Sequence, residues 1–277
     1  LSPKSDYLRY EAISLYVLSI VVPLAIVATF IQDRGMLTAY LYCFSLYQHV
    51  EYLPVMFVGL YFIASNSLYD NKVLKYLIVF LSPWIGLYVA ASFSFIATLL
   101  AVLASLASIL FFTKRRRTCY ALSIVLLLWG GFAIYYQTIS EQELVRFVGT
   151  EQLTQQTFYQ DESLDDFFAE RAYLWSFYGD GVMESLNTFV FGHSTRPNRT
   201  QYSSALNYYL DMIFHFGVIS VLPFLYLIII TIHKGWESMK VKSTSPDLFM
   251  LMLVVCFFIF VDGILTVSFR QPYPGMI

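Results

Sequence analysis

Charge is scarce in this chain. Asp, Glu, Lys and Arg make up 13% of its 277 residues, where a soluble domain carries roughly a quarter. Apolar residues reach 58%, aromatics 18%, and the mean hydropathy is +0.62. Together these exclude an ordinary soluble domain and point to an all-α integral membrane protein. Cysteine is nearly as rare. Cys43, Cys119 and Cys256 lie in or beside apolar segments at no metal-ligand spacing, so they read as packing residues and exclude a disulfide framework or a zinc site. There is no glycine-rich phosphate loop, no paired-histidine motif and no nucleophile elbow. The segments between apolar runs that face the basic side are too short for a nucleotide-binding domain, so any energy source must arrive with the substrate.

A helix needs ~20 residues to cross ~30 Å of hydrocarbon, because its backbone polar groups must be satisfied within the segment. Seven stretches meet or approach that length: Glu11 to Ile31, His49 to Ser65, Val73 to Ala91, Phe93 to Phe112, Cys119 to Tyr136, Met212 to Ile232 and Phe249 to Val267. The second is the weakest, and Met36 to Ser45 before it reads as a short interfacial or re-entrant piece. Leu1 is not an initiator Met, and the run from Arg270 to Ile277 resembles the approach to another helix. The chain is therefore expected to be a fragment. The organisation that follows is helices 1 to 5 over residues 1–137, a polar loop over 138–211, and helices 6 and 7 with the start of a further helix over 212–277.

Lysine and arginine beside the spans fix the orientation. With a cytoplasmic N-terminus the inner set is Lys4, Arg9, Lys72, Lys75, Lys114, Arg115, Arg116, Arg117, Lys234, Lys240 and Lys242. The outer set is Arg34, Arg146, Arg171, Arg196, Arg199 and Arg270. The run Lys114 to Arg117 anchors this choice and makes the long loop extracytoplasmic. Every lysine falls inside, and every outer basic residue is an arginine. The guanidinium fork suits carboxylate and phosphate and stays charged at any working pH. Topological bias explains the partition as well as an anionic, phosphate-bearing ligand handled on the outer face does.

Within the loop, Ser163 to Phe189 reads as one or two helices near the membrane surface. Leu164, Phe167, Phe168, Leu174, Trp175 and Phe177 are the expected apolar face, opposite Asp165, Asp166 and Glu170. Arg171 lies four residues from both Phe167 and Trp175, so its charge falls on that stripe. It is expected either to pair with Asp166 or Glu170 or to face a cavity. A second constellation stands at the loop's exit. A helix from Ser203 or Ser204 places Asn207, Asp211 and His215 on one polar stripe, running through Gly217 into the apolar run. Such a stripe is a site candidate, or else an interfacial belt with Tyr208, Tyr209 and Phe216. The run from Asp161 to Asp166, with Asp180 and Glu184, reads as a solvated face. Asp262, followed by Gly263 in the last span, reads as an acid meeting water or a neighbouring helix.

The order of Arg171 with Trp175, then Phe191-Gly192-His193, then Asn207-Tyr208-Tyr209-Leu210-Asp211 with Gly217, resembles the C-terminal half of the O-antigen polymerase and O-antigen ligase superfamily. The likeness is carried by residues 170–230. It implies a multi-pass helical bundle of the GT-C glycosyltransferase type in the bacterial inner membrane, with a long helical periplasmic loop. It further implies metal-independent, inverting transfer of glycan from an undecaprenyl-pyrophosphate carrier, with arginines holding the pyrophosphate as it leaves. No cofactor is expected.

Two departures bear on which member the chain resembles. Ligases carry His before the Asn of this motif, and here Leu206 stands there. An arginine common at the outer start of the helix before the basic run is replaced by Ser92-Phe93-Ser94, which Arg34 or Arg270 can offset. The resemblance thus implies a polymerase of lipopolysaccharide O-antigen or a related surface polysaccharide. Arg171, Arg196, Arg199 and Arg270, with Asn207 and Tyr208, are expected to bind substrate, and Asp211, His193 or His215 to act as base or to orient the acceptor. The expected partners are the lipid-linked oligosaccharide, the bilayer and a chain-length regulator protein, with no nucleic acid. A ligase acting on lipid A core and a lipid-linked glycan flippase or transporter are the rival readings.

Overall fold

The computed structural model describes residues 3–32, 52–68, 71–92, 94–111, 117, 120–128, 130–131, 164–193, 204–240 and 246–265. Among them there is helix and no strand. The helices are α1 (Pro3–Gln32), α2 (Tyr52–Leu68), α3 (Lys72–Ser92), α4 (Phe95–Phe111), α5 (120–128), α6 (Leu164–Met183), α7 (Leu186–Phe191), α8 (Tyr208–Phe216), α9 (Val218–Lys240), α10 (Pro246–Phe257) and α11 (Gly263–Leu265). A π-helical segment, Phe258–Asp262, joins the last two.

Four stretches among the described residues are long and apolar enough to cross a membrane: Tyr10–Ala28, Lys72–Ala90, Val218–Glu237 and Leu248–Leu265. The protein is a helical membrane protein by this measure. The expected second and fourth spans form the shorter apolar stretches Leu53–Leu68 and Phe95–Leu110. At 1.5 Å per residue the 17 residues of α2 cover about 25 Å, slightly less than the hydrocarbon layer. The expected fifth span is described only in part, and Met36 to Ser45 and Lys114 to Arg116 lie outside the described residues.

The chain divides into two compact units, Leu1–Gln155 with Ser245–Val254, and Gln156–Thr244 with Val255–Ile277. In the first, α1 packs on α2 and α3, α2 on α3 and α4, and α3 on α4. Leu15, Leu18, Val22, Ala25 and Ile26 recur at helical spacing and form the buried stripe of α1. Its opposite faces leave Ile13, Tyr16, Val17, Ile20 and Leu24 exposed, as a helix bordered by lipid does. Small residues let the others approach closely, and α4 buries Ala97, Ala101, Ala104 and Ser108.

Buried and half-buried hydroxyls in this unit bond across helices. Ser65 Oγ lies 3.0 Å from Tyr120 Oη, Ser82 Oγ 2.5 Å from Ser123 Oγ, and Ser67 Oγ donates to Glu11 Oε1 at 2.9 Å. Phe62 stacks on Tyr120 at 5.4 Å. At Gly86 a β-carbon would meet Ser123 O at 3.0 Å and Leu126 Cβ at 3.1 Å, so the missing side chain lets α3 and α5 touch. Gly86→Leu is expected to force the two apart and lower the unfolding midpoint in detergent by several degrees, on the order of 1–3 kcal/mol for overpacking. Unfolding followed by fluorescence-detected size exclusion measures it.

Candidate functional site

In the second unit α6 presents Arg171, Leu174, Tyr178 and Val182 as one buried row at helical spacing. Phe168, expected on the apolar face, is exposed, because the buried row lies to the other side of Trp175. The side chains of Leu164, Asp165, Asp166, Phe167 and Glu170 lie outside the described residues. Arg171 sits within the buried row itself, at 2% exposure. Its Nε donates to Leu265 O at 3.1 Å. A carbonyl oxygen carries two lone pairs, so it can accept from a guanidinium as well as from main chain.

The junction of α7 with α8 holds this row in place. Ser185 and Thr188 close a capping box that starts α7, with Ser185 Oγ accepting from Thr188 N at 3.1 Å. Gly192 (φ 84) ends α7 with a backbone so close to His215 and Phe216 that a β-carbon would lie 2.6 Å from His215 O. Gly217 (φ 76) lies against Val190 and Phe191 in the same manner. His193 N donates to Phe214 O at 2.7 Å across the junction. The helix expected to run through Gly217 is therefore two helices, because a left-handed glycine in contact with α7 interrupts it.

The entrance to α8 also differs from expectation. Ser204 to Asn207 are not helical, and Asn207 is the N-cap, its Oδ1 accepting from Tyr209 N at 3.0 Å and Leu210 N at 3.1 Å. Asn207 thus caps the helix, and the expected stripe shortens to Asp211 and His215. Leu206 has φ 49, a left-handed conformation costing about 1–2 kcal/mol in a residue with a β-carbon. Two bonds hold it there: Ser204 Oγ accepts from Leu206 N at 3.2 Å, and Asp211 Oδ1 from Ala205 N at 2.9 Å. Asp211 is 1% exposed in the first turn of α8, where the helix dipole favours a carboxylate.

The other expected residues are placed as follows. His193 stacks on Phe214 at 4.7 Å, with Nε2 3.1 Å from both Gly181 O and Glu184 Oε2. A proton on Nε2 bonds the Gly181 carbonyl, so this ring ties α6 to α8. His215 is half-buried with its ring edge-on to Phe214 at 5.4 Å, and Tyr208 packs on Tyr209 and Phe224. Arg196, Arg199 and Arg270 lie outside the described residues, as do Arg34 and Arg146.

Two residues outside the expected set enter the same region. Gly263 N, which in an α-helix would bond Ile259 O, bonds Phe258 O in the π-segment. Ile259 O instead accepts the Tyr209 hydroxyl at 2.8 Å. Asp262, in that same turn, has 0% exposure. Side chains from α8 and α6 thus bond the main chain at Ile259, inside the loosened turn, and at Leu265, just beyond it, on either side of this acid.

No family model, curated protein or solved structure matches the chain. The chemistry must be read from the site. Its buried ionisable groups among the described residues are one guanidinium, Arg171, and two carboxyls, Asp211 and Asp262. That set can hold an anion, with help from further cations, and can accept a proton from a hydroxyl. No group of three or more metal-ligating side chains occurs among the described residues.

Asp211→Ala leaves the Ala205 N–H without its acceptor and is expected to cost about 1–3 kcal/mol of stability, whereas Asp211→Asn, which keeps an oxygen there, costs less. Unfolding curves of the two variants test the order. Tyr209, ahead of the membrane span, has its phenol pKa raised from 10.0 to about 12, by burial first and by Tyr208 second. Folding therefore favours the protonated phenol, and the stability it contributes is complete below pH 10.0 and lost as the pH rises through about 12. Tyr209→Phe should lie below wild type by about 1 kcal/mol at neutral pH. The two stability curves should converge across that alkaline window.

Proposed function

We propose that this protein polymerises undecaprenyl-pyrophosphate-linked oligosaccharide repeat units into O-antigen or a related surface polysaccharide on the periplasmic face of the bacterial inner membrane. The observation that carries the reading is Arg171, a guanidinium at 2% exposure in a unit that also buries two carboxyls. It coincides with the residue order Arg171 to Gly217 that resembles polymerases and ligases, and with an outer basic set made only of arginine.

In this reading a sugar hydroxyl of the acceptor unit attacks the anomeric carbon of the lipid-linked donor chain. The new glycosidic bond forms as the bond from that carbon to the pyrophosphate breaks. Arg171 holds the pyrophosphate and stabilises its growing charge, with Arg196, Arg199 and Arg270 supplying further cations. The acceptor proton passes to a carboxylate, for which Asp211 is the first candidate, since His193 Nε2 is engaged with Gly181 O. Undecaprenyl pyrophosphate is the released product. Leu206, standing where ligases carry His, favours polymerisation over ligation. Asp262, a buried acid within a span, is the feature that favours the transporter reading.

Gene deletion followed by sizing of surface glycan separates the three. Loss of a polymerase leaves single repeats on the surface acceptor, loss of a ligase strands long chains on the carrier, and loss of a flippase gives neither. Normal long ladders in a strain with no second copy refute polymerisation. Arg171→Ala in a correctly inserted protein should reproduce the deletion, with polymer reduced at least about a hundredfold for a contact that strengthens in the transition state. Arg171→Lys should recover little, because a point charge does not replace the fork.

A further inference from the structure

The last apolar stretch, Leu248–Leu265, has a mean hydropathy of 2.8 and still contains an acid at 0% exposure. An ionisable group at such a place is costly to bury and is usually retained for a task. Its setting is also irregular. Asp262 closes the π-segment, a distortion that recurs at functional sites. Hydrogen bonds from α8 and α6 reach the chain on either side of Asp262: Tyr209 Oη to Ile259 O at 2.8 Å, and Arg171 Nε to Leu265 O at 3.1 Å.

The second of these bonds matters most. Leu265 is three residues beyond Asp262, a rise of about 4.5 Å along a helix, so the residue whose carbonyl Arg171 grips lies within one turn of the acid. Anchoring Nε on a carbonyl fixes the plane of the fork. When ionised, an acid so close along the chain interacts with Arg171 and repels any anion that Arg171 receives.

We propose that Asp262 is a positioning residue that weakens the hold of Arg171 on a phosphate-bearing lipid, so that the site can release it. The inference rests on the reading of Arg171 as a phosphate-binding residue. A site that must bind a pyrophosphate and then let it go as product gains from a fixed opposing charge, because uniformly tight binding slows turnover without aiding the chemical step.

The test uses the full chain in lipid nanodiscs, with undecaprenyl pyrophosphate as probe and undecaprenol as its phosphate-free counterpart. Asp262→Asn is expected to bind the pyrophosphate about tenfold more tightly than wild type, from the loss of one nearby charge in a medium of intermediate dielectric. Undecaprenol binding should not change, Asp262→Glu should restore wild-type affinity, and Arg171→Gln should abolish the preference for pyrophosphate. Asp262→Ser, also uncharged, replaces the Asn variant if that is not recovered as monodisperse protein. Equal or weaker pyrophosphate binding by the uncharged variant, with the Arg171→Gln loss intact, overturns the role of Asp262 and leaves the phosphate site standing. A wild-type protein that does not distinguish the two lipids overturns the phosphate site and this inference with it.

Discussion

Inside an apolar helix bundle, every backbone carbonyl that loses its helical partner must find a donor from the protein. The second unit meets this demand at the π-segment and carries a further carbonyl to side-chain bond just beyond it. The π-segment diverts Gly263 N to Phe258 O, and Ile259 O then takes the Tyr209 hydroxyl, while Leu265 O takes the Arg171 guanidinium. Each bond serves two purposes at once. It satisfies an acceptor that would otherwise be costly to bury, and it brings a side chain of α6 or α8 to a fixed place on the last apolar stretch. Arg171 is deeply buried, and its Nε is anchored on main chain at Leu265 O.

The glycines at the ends of α7 and α8 supply the rigidity this arrangement needs. Gly192 and Gly217 each adopt a left-handed backbone, and each lies where a β-carbon would collide with the other helix's terminus. With the His193 N to Phe214 O bond, they set the relation of α7 to α8 through backbone alone. Tyr178, Val182, Ala205 and Phe214 form the apolar core beside it. The strained Leu206 is held by Ser204 and Asp211 next to that core, so Asp211 shapes the loop as well as contributing a carboxyl.

Much of this was legible in the sequence. The lack of charge and the long apolar runs gave the class, and the amphipathic pattern of Ser163 to Phe189 gave α6 and α7. The start of α8 was not legible, because Ser203, Ser204 and Asn207 are all good N-caps and only the bonds made by Ser204 and Asp211 decide among them. The break at Gly217 was hidden by the apolar residues on both sides, since glycine is tolerated in a helix and its left-handed conformation arises from contact with α7. The wide aromatic face of α6 does not say which of its edges is buried, so the pattern includes Phe168, which the structure leaves exposed. Asp262 looked like an acid near a helix end, and only packing reveals that it is wholly enclosed.

The clasp between His193 and Phe214 has a bearing on how such a protein diversifies. The chain leaves this region at His193 and returns at Ser204, and both points are tied to the same small core by main-chain or short side-chain bonds. What lies between them can therefore change in length and sequence without altering the register of Arg171, Asp211 or the π-segment. In the proposed reading Arg196 and Arg199 are kept within that interval, so drift and insertion fall on its other positions.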